Sequence, residues 1–127
     1  MTYRAIIFDL FGTLVNDFMS VTGQTHEELA DILGVPYEPF MKQWRETTAR
    51  RTMGEFQTVE ASIDHVCGAL GVPVTAKQMA KAVEFRLEYT RRALVPKPDA
   101  VATLAQLKQT GFTVGLLSNC SIEIPIL

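Results

Sequence analysis

Cysteine, histidine and tryptophan are all scarce in this 127-residue chain, which has two, two and one of them respectively. Cys67 and Cys120 can close at most one bridge, so a disulfide framework is excluded and two reduced thiols in a cytoplasmic protein are expected. His26 and His65 belong to no ligand-spaced cluster, which leaves both as surface side chains. No apolar run approaches the roughly 20 residues that span a bilayer. The N-terminal apolar stretch, Ala5 to Phe8, stops at Asp9, so neither a signal peptide nor a membrane anchor is expected. Charge of one sign is lacking too: 12 basic residues face 14 acidic ones, for a net charge of −2. Phosphate backbones and anionic lipids demand concentrated positive charge, so nucleic acid and membrane are set aside as partners. The densest basic spots, Arg50-Arg51 and Arg91-Arg92, read as solvated helix faces.

What is present is a globular composition, 47% apolar and 20% charged, arranged in an informative order. Tyr3 to Phe8 is a nearly continuous apolar run, which suits a strand buried between two helical layers of a parallel sheet. From about Thr25 to Arg92 the period is helical, interrupted by Gly and Pro. Thr25 and Glu28 form a capping box for a first helix that Gly34 ends. A second helix comes after Pro36 and carries Phe40 and Trp44 on one face. A third has the stripe Val59, Ile63, Val66, Cys67 and Leu70, and stops at Gly71. Thr75 and Gln78 open a fourth, with Met79, Val83 and Leu87 as its expected buried stripe. Val95-Pro96-Lys97-Pro98 is a stiff connector. A fifth helix, with Val101, Leu104 and Leu107, runs to Gly111. Phe112 to Leu117 is a second strand that ends at Ser118-Asn119. Helix then strand is half of a crossover unit, so the two strands should be parallel. Ligands in such sheets bind beyond the carboxyl ends of the strands, where Asp9 and Ser118 both fall.

Two of these places carry chemistry. In Phe8-Asp9-Leu10-Phe11-Gly12-Thr13-Leu14, an apolar strand delivers a carboxylate into a tight Gly-Thr turn, where the Thr13 hydroxyl can donate to it. A carboxylate held so can attack electrophilic phosphorus or carbon, giving an acyl-phosphate or ester that water hydrolyses. An aspartate that merely starts a turn is the alternative. Ser118-Asn119 is equally readable as a polar turn or as a substrate-binding strand tip.

Asp-x-x-Gly-Thr-Leu after an apolar strand resembles the first motif of the haloacid dehalogenase-like (HAD) hydrolases. Leu116-Leu117-Ser118-Asn119 resembles their second motif, and the helical stretch between resembles their helical cap. The resemblance implies an α/β fold: a partial Rossmann-like core of parallel strands at residues 1–15 and 94–127, with a four-helix cap inserted at 16–93. It makes Asp9 the nucleophile on a small-molecule substrate, typically a phosphate ester. It makes the Asp9 carboxylate and the Phe11 carbonyl ligands of Mg²⁺, a hard, oxygen-preferring cation. Ser118 and the Asn119 amide would hold the transferring phosphoryl or a substrate carboxylate.

The chain departs from that pattern twice. Where phosphatases of this superfamily carry a second aspartate two residues after the nucleophile, Phe11 stands here, and a phenyl ring cannot protonate a leaving group. The dehalogenase branch, which is metal-independent, also lacks that acid, because departing halide needs no proton. In that branch a cap arginine near a Trp-Arg pair grips substrate, and Trp44-Arg45 offers a match with Arg45 as the binding residue; a solvated helical arginine is the other reading. Secondly, the lysine and acidic pair of the later motifs are missing after Ser118. The expectation is a truncated enzyme, phosphatase type first, that is inactive until a C-terminal segment completes it. A metal-independent 2-haloacid dehalogenase and a non-catalytic, self-associating fragment are the alternatives.

Overall fold

The computed structural model describes residues 3–17 and 26–127. In chain order the elements are β1 (Ala5–Phe8), α1 (His26–Leu33), α2 (Tyr37–Glu46), α3 (Thr48–Thr52), α4 (Val59–Ala69), α5 (Ala76–Ala93), α6 (Ala100–Gln109), β2 (Thr113–Leu116) and α7 (Glu123–Ile126). They form two compact units. One comprises residues 1–21 and 91–118; the other comprises residues 22–90 and 119–127.

The first unit is a mixed α/β layer. β1 and β2 pair in parallel, Ala5 opposite Thr113 through Phe8 opposite Leu116, and α6 packs beside β2. The expected parallel pairing is therefore present, as part of a Rossmann-like core. Burial differs from expectation. Ile7 is 69% exposed and Leu117 72% exposed, and Leu116 and Val101 are exposed as well. The strands are apolar on both faces, yet Ile7 and Leu117 on one face, and Leu116 on the other, are exposed among the described residues.

The second unit holds the larger core. Phe40 and Trp44 stack at 5.5 Å, one turn apart on α2, and α2 packs against α1 and α4. Leu29 and Leu33 of α1, with Val59, Ile63, Val66 and Cys67 of α4, are buried around them. Among the described residues the four helices expected between Thr25 and Arg92 become five segments, α1 to α5, because the second breaks at Thr47. There the Thr47 hydroxyl donates to the Gln43 and Trp44 carbonyls, at 3.0 and 3.1 Å. The Thr48 hydroxyl reaches the Trp44 carbonyl as well. Hydroxyls that compete for carbonyls loosen the helical ladder, and α3 restarts after the break.

The face of α5 also differs from expectation. Met79, Val83 and Leu87 are only half-buried. Its buried residues are instead Ala82, Phe85, Arg86, Tyr89, Thr90 and Ala93. These are equally helical in spacing, but Arg86 and Thr90 make that face look polar in sequence. Thr25, expected to cap α1, lies outside the described residues.

The cap on α5 forms as expected. Gln78 N–H donates to the Thr75 hydroxyl oxygen at 3.2 Å, and Thr75 N–H donates back to Gln78 Oε1 at 3.0 Å. Gln78 Nε2 also donates to the Leu33 carbonyl at 3.1 Å, so this side chain closes the end of α1 too. Thr75→Ala should lower unfolding stability by about 1 kcal/mol. Gln78→Ala should cost more than that, since it also strips the Leu33 carbonyl of its donor. Urea denaturation of both variants checks the ranking.

Candidate active site

The parallel register continues one step past the strands, where Leu117 N–H donates to the Phe8 carbonyl at 2.9 Å. Asp9 and Ser118, the next residues after Phe8 and Leu117, therefore emerge together at one edge of the sheet. The Asp9 side chain is exposed and Ser118 half-buried. No hydrogen bond joins the Asp9 carboxylate to Thr13, whose backbone N–H instead donates to the Leu10 carbonyl at 3.3 Å. The expected Thr13-to-Asp9 donation is not made in this arrangement.

Immediately after Asp9 the chain folds into a compact turn. The Leu10 carbonyl accepts from the amides of Thr13, Leu14 and Val15, while Leu10 and Val15 are buried and anchor both ends. Gly12 sits between them with φ +73°, and a Cβ there would meet Asp17 Oδ1 at 2.8 Å. Both the conformation and the close approach demand glycine. The connector after α5 straps this turn down. Pro96 bridges Val15, Lys97 N–H donates to the Leu14 carbonyl at 2.8 Å, and Lys97 Nζ donates to the Gly12 carbonyl at 2.6 Å. Lys97 thus brings an ammonium to the turn beside the candidate nucleophile. Sequence reasoning sought a lysine only after Ser118 and missed this one, because nothing in a Pro-Lys-Pro connector says which backbone it will meet.

The metal expectation is testable on the donor set. No three His, Cys, Asp or Glu side chains converge among the described residues. Asp9 offers one carboxylate and Phe11 one carbonyl, too few protein oxygens to define an octahedral Mg²⁺ site. Asp9 and the Phe11 carbonyl are the two candidate protein ligands among the described residues, and no step below is routed through the cation.

Arg45 and Asn119 belong to the helical unit, and both are exposed. Arg45 lies on the last turn of α2 and, with Arg86 and Arg51, acts electrostatically on His26. The Arg51 guanidinium sits 3.9 Å from the Trp44 ring centre and that of Arg86 5.0 Å. His26, expected at the surface, packs instead against Tyr89 and Trp44, with ring centres 5.5 and 6.2 Å apart. Burial first, then the charges of Arg86, Arg51 and Arg45, push its imidazole down to about 4.

Parallel strands thus bring an aspartate and a serine to one sheet edge, with a helical unit inserted between them in sequence. The model for the haloacid dehalogenase-like hydrolase family matches residues 3–125, and the chain belongs to that family. It is similar to (S)-2-haloacid dehalogenase 1 of Pseudomonas sp. (strain CBS-3), 28% identical over 95% of this chain and 53% of the relative. It is also similar to the (S)-2-haloacid dehalogenase of Pseudomonas fluorescens, 28% identical over 94% of this chain and 54% of the relative. A third relative, (S)-2-haloacid dehalogenase 4A of Burkholderia cepacia, is 27% identical over 95% of this chain and 52% of its own length. The chain spans about half the length of each. A crystal structure of a dehalogenase matches 98% of this chain and 55% of its own, at 24% identity and a TM-score of 0.43. No helix among the described residues is long and apolar enough to cross a membrane.

The lowered His26 value makes stability depend on pH. Between about 4 and 6.5 the unfolded chain takes up the proton and the folded one does not, so acidification through that window destabilises the fold. The whole shift corresponds to about 3 kcal/mol; solvent around the half-buried ring reduces it to about 2 kcal/mol. Urea midpoints measured from pH 6.5 down to 5 should fall in the parent and fall less in His26→Gln. Equal slopes would remove His26 as the cause.

Proposed function

We propose that the intact protein hydrolyses a small 2-halo acid, with Asp9 as the nucleophile, and that it does so without a metal. The observation that carries this is Asp9 exposed at the β1 tip next to the β2 tip, with Phe11 where a phosphatase of this superfamily has its proton donor. A 2-halo acid suits that arrangement because halide departs unprotonated, so the missing acid costs nothing. The three relatives are all named for this activity. This reverses the order suggested by the motifs alone, which put a magnesium-dependent phosphatase first.

In the proposed reaction an Asp9 carboxylate oxygen attacks the carbon bearing the halogen, and the carbon–halogen bond breaks with its electron pair leaving as halide. The product of that step is an ester of Asp9. Water then adds to the ester carbonyl, loses a proton, and releases a 2-hydroxy acid with the carboxylate restored. Thr13, Ser118 and the Asn119 amide are the proposed hydrogen-bonding partners of the substrate, with strand-tip donors aimed at its carboxylate. Arg45 is the proposed cationic partner of the substrate. Lys97 positions the turn through the Gly12 carbonyl.

Halide release from 2-chloropropionate by the intact protein should persist in excess chelator and fall at least about a thousandfold in Asp9→Asn. Release that stops on chelation, or hydrolysis of a generic phosphate ester in its place, would return the phosphatase reading.

The exposed strand residues bear on partners. We propose that Ile7 and Leu117, which share one face of the sheet, are covered in the working protein, by a complementing C-terminal segment or by a second copy, because exposed apolar surface of this kind favours association. Two strands alone are also marginal. The isolated 127-residue chain is therefore expected to be inactive and to self-associate. Light scattering at micromolar concentration should report a dimer or larger, and Leu117→Lys should shift it toward monomer. A folded monomer in the parent chain would remove the basis for this proposal.

A further inference from the structure

The helical unit buries three charged side chains that the chemistry at Asp9 does not use. Arg51 is 8% exposed, Arg86 4% and Glu123 1%. Two cations are thus buried with one anion, and it is Arg86 that binds it. Arg86 Nε donates to Glu123 Oε1 at 2.9 Å, and a second guanidinium nitrogen of Arg86 lies 2.9 Å from the same oxygen. Among the described residues Arg51 has neutral acceptors alone: the Trp44 carbonyl and Thr47 Oγ1, both at 2.6 Å, and Thr48 Oγ1 at 3.3 Å. Both guanidiniums lie over the single Trp44 ring. Arg51 and Glu123 line one small hollow together with Phe56, Ser62, Ser121 and Ile122. One turn beyond Arg86 on α5, the buried Thr90 Oγ1 has no hydrogen-bond partner.

Burying a guanidinium is costly unless an anion accompanies it, and here two are buried beside a single carboxylate, bound by Arg86 and supplied by a helix only four residues long. An arginine pair fixed over an aromatic plate is preorganised for a carboxylate whether or not Glu123 supplies it. The hollow has no space for a further water-sized group, and the place facing Arg86 is taken by Glu123.

We propose that Arg86 and Arg51, held over Trp44, form a carboxylate-binding site that Glu123 occupies as an internal ligand. A small free monocarboxylate competes with Glu123 for that place. When the free carboxylate wins, α7 is released, and with it the segment that runs directly on from Ser118-Asn119. The site does not depend on the reaction proposed for Asp9, and its test involves no turnover.

Trp44 is the sole tryptophan, so its emission reports the site directly. Sodium acetate is titrated at fixed ionic strength, with sodium chloride as balancing salt and acetamide as the uncharged control. In Glu123→Ala, acetate should change Trp44 emission saturably and raise the melting temperature, because a ligand that binds only the folded state stabilises it. Acetamide should do neither. The parent chain should need at least about tenfold more acetate for the same response, since its own carboxylate competes. Adding Arg86→Met to Glu123→Ala should abolish the response. If acetate acts no differently from chloride on Glu123→Ala, or if the parent responds at the same concentration as the variant, the proposal is overturned. Should Glu123→Ala fail to fold in chloride, refolding in acetate supports the site, and no refolding in acetate overturns it.

Discussion

Everything at the candidate site depends on the pairing of β1 with β2. Their hydrogen bonds run past the last strand residues to the Leu117 amide and Phe8 carbonyl, and this brings Asp9 and Ser118 to the same edge although 109 positions (118 − 9) separate them. A slip of one residue would turn each side chain to the opposite face. The turn after Asp9 then fixes what the strand delivers. Leu10 and Val15 are buried at its ends, Gly12 adopts a backbone few other residues tolerate, and the Pro96-Lys97 connector ties it from the other side.

The helical unit works by another balance. Its core is ordinary where α1, α2 and α4 meet, built on the Phe40–Trp44 stack and the Ile63 and Val66 face. Beside that core it carries Arg51, Arg86 and Glu123 out of water. Burial alone would raise the Glu123 carboxyl, but the Arg86 charge and a hydrogen bond from Ser121 outweigh it, and the net displacement is downward. The same burial drives Arg51 down to about 10 and keeps the His26 imidazole neutral. Burial likewise pushes the Cys67 and Cys120 thiols up, away from the reactive thiolate. These two cysteines are free rather than bridged.

Family membership and chemical activity rest on different observations. The order of strand, aspartate turn, helical insert and second strand places the chain among the haloacid dehalogenase-like hydrolases, consistent with the family match over residues 3–125. The choice of electrophile turns on single side chains. Phe11, standing where a phosphatase of this superfamily has its proton donor, is the side chain on which the proposed displacement of halide rests.

Local chemistry in the sequence determined much of this protein. The apolar run before Asp9, the Gly-Thr turn, the Thr75–Gln78 capping box and the apolar stripe of α4 were all legible, because each depends on residues within a few positions of one another. Tertiary structure decided the rest. It chose the buried face of α5, where Arg86 disguised a core position as a surface one. It moved His26 from the surface to a place against Tyr89 and Trp44, set Lys97 on the Gly12 carbonyl, and seated Glu123 against Arg86. Each of those contacts joins residues far apart in the chain, and charged side chains have no intrinsic preference for the interior. Only the fold supplies the partner that makes their burial tolerable, so no local pattern could announce them.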